Sequence, residues 1–153
     1  VAQVAGRTGR GEKGGRVLVQ TLSPDHLAIR AAVRHDYEMF AVEELAVRKQ
    51  LHYPPYGSMI RLVVRGPAEE TTRAVAEQIG IALRAAASEQ PGVRVMGPAV
   101  AAIAKLRDQY RFQIQLQAES MPPLHEVVQQ ATSRIKLPDK VFLAVDVDPW
   151  DML

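Results

Sequence analysis

The sequence contains no cysteine among its 153 residues. That absence excludes a disulfide scaffold, a thiolate zinc site and a cysteine nucleophile in this chain. No apolar run approaches the ~20 residues that a transmembrane helix needs, and the opening Val1-Ala2-Gln3-Val4 lacks a signal-peptide pattern. The four histidines share no metal-ligand spacing, so we expect no metal site here. The sequence therefore predicts a cytoplasmic protein without a membrane segment.

Apolar residues make up 47% of the chain and charged residues 24%, a balance typical of a packed domain and not of a disordered tail. The net charge of +2 is unevenly divided, because residues 1–20 hold +3 and residues 21–153 hold −1. Positive charge is thus concentrated in one glycine-rich segment, where it could meet phosphate.

The first third of the chain predicts one strand and two helices. Residues 16–21 form a short β-branched run that predicts a strand. Ser23 is a candidate N-cap for a helix that reaches about Arg34. Asp36 is a candidate N-cap for a longer helix that reaches about Leu51. Two prolines and a glycine within residues 53–57 stop that helix. We therefore expect a first domain at 1–52, a linker at 53–57 and a second domain at 58–153.

The second domain shows two strand–helix–strand units. The pattern predicts strands at 58–65, at 93–97, at 111–117 and at 141–147, and helices at 68–88 and from Ser120 onwards. The second strand is expected to be short, because Gly97-Pro98 ends it. With right-handed crossovers, this order predicts a four-stranded antiparallel sheet with both helices on one face, the ferredoxin-like βαββαβ arrangement of an α+β domain.

One octet carries the chemistry: Gln3-Val4-Ala5-Gly6-Arg7-Thr8-Gly9-Arg10. Two arginines three residues apart lie on nearly the same side of a helical turn. Their guanidinium groups suit the oxygens of a γ-phosphoryl group, whose negative charge spreads during transfer. The alternatives are a flexible basic tail and an Arg-Gly nucleic-acid contact.

The octet resembles motif VI of superfamily 2 helicases, Gln-x-x-Gly-Arg-x-Gly-Arg. The resemblance implies that residues 1–52 form the end of a second RecA-like lobe that faces bound ATP. It implies that Arg7 and Arg10 are catalytic groups on the γ-phosphate, with Arg10 the arginine finger. The implied ATP site also includes Gln3, Gly6 and Gly9.

The rest of the chain resembles the PriA (primosomal protein N′) family of replication-restart helicases. The matching segments are Gln3 to Val19, Ser23-Pro24-Asp25-His26, His35-Asp36-Tyr37-Glu38, Leu51-His52-Tyr53-Pro54-Pro55-Tyr56, Gly97-Pro98-Ala99, Leu106 to Gln113, and Asp146-Val147-Asp148-Pro149. The resemblance implies an ATP-dependent 3′-to-5′ DNA helicase that recognises stalled replication forks and restarts replication by primosome assembly. It also implies a C-terminal domain that binds forked and single-stranded DNA, the acidic tail of single-strand-binding protein and other primosome proteins.

The chain departs from that family in what it lacks. It contains no GxxxxGK[ST] loop and no Asp-Glu-x-His motif, so ATP and Mg²⁺ are expected to bind mostly upstream. The family's zinc cysteines also lie upstream. The chain begins inside a motif without methionine, and we expect a C-terminal piece that does not hydrolyse ATP by itself. The alternatives are a non-catalytic, fork-binding restart scaffold with a dead motor and a stand-alone ferredoxin-like binding module.

A second candidate site lies where a cationic loop leads into the third strand. The expected DNA or partner surface consists of Lys105, Arg107, Tyr110, Arg111 and Gln113, since cations can grip phosphates and an aromatic ring can stack a base. The alternative is an ordinary solvated loop with Tyr110 in the core. The solvent-facing side of the sheet offers Arg61, Arg65 and three glutamines but no aromatics at the positions that a nucleic-acid-reading sheet uses, so base-specific recognition is not expected.

Overall fold

The computed structural model describes residues 1–6 and 16–149. They form two compact units that divide between Arg48 and Lys49. Residues 53–57 belong to the second unit, and their assignment as a linker between domains at 1–52 and 58–153 stays a prediction. No helix in the described ranges is both long enough and apolar enough to cross a membrane.

The helices of the first unit are α1 (Ala2–Ala5), α2 (Leu27–Arg34) and α3 (Tyr37–Leu51). The ring Nδ1 of His26 caps α2 by accepting a hydrogen bond from the Ala28 N–H at 3.2 Å. Asp36 caps α3, because its Oδ1 accepts the Met39 N–H at 2.9 Å. The predicted helix start at Asp36 is confirmed.

Two predictions for this unit are wrong. Residues 16–21 form no strand, and Leu18 is 97% exposed. A β-branched run becomes a strand only where another strand pairs with its backbone, and no strand lies among residues 1–6 and 16–48. Ser23 does not cap α2 either. Its carbonyl accepts the His26 N–H at 3.1 Å in a turn, so the helix begins later, at Leu27.

The second unit confirms the ferredoxin-like α+β prediction. Its strands are paired antiparallel in the order β2-β3-β1-β4. In chain order the elements are β1 (Ser58–Gly66), α4 (Glu69–Ala87), β2 (Arg94–Leu106), β3 (Gln109–Ala118), α5 (Met121–Thr132) and β4 (Phe142–Val147).

The core lies between one face of the sheet and the two helices α4 and α5. Alternate side chains of β1 and β3 enter it because successive residues of a strand point to opposite faces. Each large side chain here contributes about 1.5–3 kcal/mol by leaving water. The fully buried members include Ile60, Leu62, Val64, Ile79, Leu83, Ile114, Leu116, Leu124 and Val127. The other face of the sheet carries the odd-numbered side chains of β1 and β3.

The predicted end of the second strand at Gly97-Pro98 is wrong. Strand β2 continues to Leu106, with irregular register between Met96 and Ala99. Gly97 has φ +95°, a value that glycine adopts without strain. Proline lacks a backbone N–H, and it is tolerated because β2 is an edge strand. Gly97-Pro98, which the sequence analysis interpreted as the end of a strand, therefore marks a bulge inside a longer strand.

Candidate nucleic-acid interface

The face of the sheet that lies opposite α4 and α5 is called the open face. Four arginines line a groove of about 480 Å³ on it. Arg61 and Arg65 project from β1, Arg111 projects from β3, and Arg107 lies in the turn between β2 and β3. Asp146 of β4 is the one acidic side chain among the described residues that line the groove. The groove therefore has a net positive charge.

Arg65 and Arg111 are direct partners in the register between β1 and β3. Side chains at such positions have Cβ atoms about 4.5–5.5 Å apart, and like charges there repel each other. Among the described residues, neither guanidinium pairs with a carboxylate. Arg65 instead packs on the Phe142 ring, with its Cζ 5.4 Å from the ring centroid. An anion placed between the two arginines would relieve their repulsion.

Arg61 has a different environment from the other three. Its side chain is 11% exposed, and one guanidinium nitrogen donates to Asp146 Oδ2 at 2.9 Å. This ion pair joins neighbouring strands, because Arg61 and Asp146 are register partners between β1 and β4. Arg61 therefore holds the floor of the groove together, while Arg65, Arg107 and Arg111 carry charge that a ligand can reach.

The turn between β2 and β3 is shorter than the sequence indicates. Lys105 belongs to β2, and the connection consists of Arg107 and Asp108, both with positive φ. Positive φ at both central residues is typical of a type I′ hairpin, whose twist matches that of the flanking strands. The predicted cationic loop is therefore the end of a β-hairpin.

The hairpin separates the five residues predicted as one surface. Arg107 and Arg111 line the groove, and Gln113 follows Arg111 on the same face by strand alternation. Tyr110 lies on the other face, partly buried against the core. The Lys105 side chain packs on Tyr110, with its Nζ 5.0 Å from the ring centroid. The same Nζ forms an ion pair with Asp108 Oδ1 at 3.3 Å.

The residues predicted to face ATP are described only in part. Gln3 is exposed on α1, and Gly6 follows that helix in a right-handed helical conformation, with its N–H donating to the Ala2 carbonyl at 2.9 Å. Arg7, Gly9 and Arg10 lie outside the described residues. Their catalytic and ATP-binding roles stay predictions.

Sequence reasoning left Arg65 out of the predicted surface, although the signal for it was present. The alternation of residues 58–65 places Arg61 and Arg65 on the solvent side of β1. The ferredoxin-like arrangement already places β1 beside β3. What the sequence lacks is the register between these two strands, which brings Arg65 opposite Arg111. No group of three or more histidine, aspartate or glutamate side chains in residues 1–6 and 16–149 could hold a metal ion.

Comparison with known proteins identifies the family of this chain. The family model described as the primosomal protein N C-terminal domain matches residues 49–150. The chain therefore belongs to that family, which confirms the resemblance seen in the sequence.

Several curated relatives carry the name replication restart protein PriA, and three of them show the extent of the match. The protein of Treponema pallidum is 37% identical over an alignment of 153 positions, which covers 99% of this chain and 23% of the relative. The protein of Synechocystis is 35% identical, covering 97% and 17% of the two chains. The protein of Bacillus subtilis is 31% identical, covering 100% and 19%. The chain thus spans about a fifth of the length of these relatives.

Proposed function

We propose that this chain is the C-terminal part of an ATP-dependent 3′-to-5′ DNA helicase that recognises stalled replication forks and restarts replication by primosome assembly. The family match over residues 49–150 and the names of the relatives support a role in replication restart. Motif VI supports a motor role for residues 1–52. By itself the chain does not hydrolyse ATP, since the phosphate-binding loop and the magnesium ligands belong upstream.

The task of residues 58–153 in this proposal is to hold DNA on the open face of the sheet. The arginine groove is the observation that carries this part of the proposal. Guanidinium groups bind phosphate through planar, paired hydrogen bonds, and Arg65 and Arg111 already lie side by side across two strands. A phosphate between them would accept from both.

The groove favours backbone binding over base reading. Among the described residues, Phe142 is the aromatic ring next to the groove, and the Arg65 guanidinium packs against this half-exposed ring. Tyr110 lies on the opposite face of the sheet. Contacts to phosphates position a protein on DNA without reporting the base sequence. We therefore propose recognition of the path of the phosphate backbone at a fork.

The partners in this proposal are forked and single-stranded DNA, the acidic tail of single-strand-binding protein and other primosome proteins. ATP with Mg²⁺ is the cofactor of the intact protein. Arg10 and Arg7 would act on its γ-phosphate, with Gln3, Gly6 and Gly9 completing the site. The loss of the upstream phosphate-loop lysine would favour the non-catalytic scaffold instead.

The test of the DNA-binding part is a fluorescence anisotropy titration of the 153-residue chain against labelled forked and single-stranded DNA. Binding that weakens steeply as salt rises from 50 to 200 mM is expected, because phosphate contacts release counterions. The same affinity for DNA of unrelated base sequence is also expected. An absence of binding at both salt concentrations would contradict the proposal that residues 58–153 bind DNA.

A further inference from the structure

An aromatic ring completes a row of side chains across the open face of the sheet. Arg65 of β1 is the register partner of Arg111 on β3 and of Phe142 on β4. Direct partners in an antiparallel register project from the same face of a sheet, so two cations and one ring lie in line. Neighbouring strands are about 4.8 Å apart, and the row therefore spans about 10 Å.

Phe142 occupies the outer end of this row. Strand β4 is an edge strand, and no further strand lies beyond it in the described part of the chain. The Arg65 guanidinium packs on the ring, with Cζ 5.4 Å from the ring centroid. With this contact in place, Phe142 is still 48% exposed. The ring thus keeps free surface beside a positively charged groove.

The position of Phe142 separates it from the other aromatic side chains of the sheet. Tyr110 and Phe112 of β3 both belong to the core face. An exposed apolar side chain by itself indicates no function, because folded proteins expose many of them. Phe142 differs because it is aromatic and because the side chains in its row are arginines that can hold phosphate.

A nucleotide carries the two groups that this row can bind. A phosphate between Arg65 and Arg111 accepts hydrogen bonds from both guanidinium groups. The strand that leaves this phosphate towards β4 then brings a base to the ring of Phe142. Every base has a flat face that stacks on an aromatic ring, so stacking is tolerant of sequence. It is therefore compatible with recognition through the phosphate backbone.

The ring responds to whether a strand is paired. In a duplex the faces of each base are covered by the neighbouring base pairs, and exposing one of them costs free energy of unstacking. An unpaired strand presents its base faces without that cost. The arginines can hold the phosphates of either form, whereas Phe142 can stack only on the unpaired one.

We propose that Phe142 is a base-stacking subsite of the arginine groove, through which the open face selects an unpaired DNA strand over a duplex. The inference rests on the proposed DNA binding by residues 58–153. It adds a residue that determines which arm of a fork the groove holds, and it assigns a function to a side chain outside the groove lining.

The experiment is an anisotropy titration of the 153-residue chain at 50 mM salt with three labelled ligands of equal length. They are a single strand of thymidines, a single strand of abasic sites and a duplex. The abasic strand keeps the phosphates and lacks the bases. Because of the lost stacking, it is expected to bind about 5-fold or more weakly than the thymidine strand.

Three substitutions make the test specific. Phe142→Leu is expected to weaken binding of the thymidine strand about 5-fold or more and to leave the other two ligands unchanged. Phe142→Trp keeps an aromatic face and is expected to keep the affinity for the thymidine strand. Tyr56→Leu is the matched control, because Tyr56 is 43% exposed in the same unit and does not line the groove.

Two outcomes would overturn the subsite alone. If Phe142→Leu weakens binding of the abasic strand or the duplex as much as that of the thymidine strand, the ring only holds the Arg65 guanidinium in place. If Phe142→Leu binds every ligand like Tyr56→Leu, no base stacks on the ring. A parent chain that binds none of the three ligands would instead contradict the DNA-binding function, and the subsite with it.

Discussion

Arg65 of β1 and Arg111 of β3 are direct partners in the antiparallel register, with like charges facing each other on the open side of the sheet. A stable sheet normally avoids that juxtaposition, because it costs free energy of folding. Here it brings two guanidinium groups to one point in a groove that also receives Arg107. The arrangement reduces the stability of the free domain and favours an anionic ligand.

The first prediction concerns this cost. Arg111→Gln is expected to raise the free energy of unfolding by up to about 0.5 kcal/mol at low salt, because it removes a like-charge pair. The gain is expected to shrink in 1 M salt, where charges are screened over about 3 Å. Urea denaturation at both salt concentrations measures the difference. A loss of stability at low salt would mean that Arg111 makes a stabilising contact instead.

The second prediction concerns the ion pair beneath the groove. Asp146→Asn is expected to cost about 1–2 kcal/mol of unfolding free energy, since Arg61 is 11% exposed and loses a charge-assisted hydrogen bond. Asp146 is itself 47% exposed, which keeps the cost below that of a fully buried pair.

The control is Asp108→Asn, because Asp108 also pairs with a cation but its side chain is 98% exposed. It is expected to leave the urea midpoint unchanged. If the two substitutions lower the unfolding free energy equally, the burial of Arg61 does not make its ion pair more stabilising than an exposed one.

The third prediction compares two glycines with similar φ. Gly97 and Gly92 have φ +95° and +89°, so alanine is strained at both. At Gly97 an added Cβ would lie 2.8 Å from the Gln113 carbonyl oxygen, whereas at Gly92 nothing lies within 4 Å. Gly97→Ala is therefore expected to destabilise the domain by at least about 1 kcal/mol more than Gly92→Ala. Equal unfolding midpoints would contradict the bulge geometry of β2.

The fourth prediction concerns motif VI in the intact protein. Arg10→Ala is expected to reduce ATP turnover about 10³-fold or more, because an arginine finger acts on the charge of the transition state. DNA binding by the same variant is expected to persist. Arg16→Ala, which removes a neighbouring positive charge outside the motif, is the control. If both variants turn over ATP like the parent protein, Arg10 is not the finger.

The sequence suffices to predict the number and order of the strands in residues 58–153, although not the end of β2, because the patterns of the other strands are regular. Uninterrupted alternation in residues 58–65 and 111–117 identifies both central strands and their buried faces. The run at 16–21 has similar composition but no strand to pair with among the described residues of the first unit. The strand predicted at residues 16–21 was wrong because the amino-acid composition of a segment does not show whether a partner strand is present.

The candidate sites were harder to predict because they depend on pairing between strands. Gln113 and Gln117 look alike in the sequence, as polar residues on the solvent side of β3. Only the structure shows that Gln117 is buried beside Arg94 and that Tyr110 and Arg111 lie on opposite faces. The grouping of Lys105 with Arg107 followed from their closeness in sequence, whereas the hairpin separates their side chains.

The central claim is that the paired arginines on the open face bind the DNA backbone. Its most direct test is an anisotropy titration of the 153-residue chain and of the Arg65→Gln, Arg111→Gln double variant with labelled forked DNA at 50 and 200 mM salt. The account predicts weaker binding by the variant and a salt slope smaller by about 1.8, the value for two lost phosphate contacts on duplex arms. An unchanged affinity and slope, with Arg134→Gln behaving identically, would contradict it.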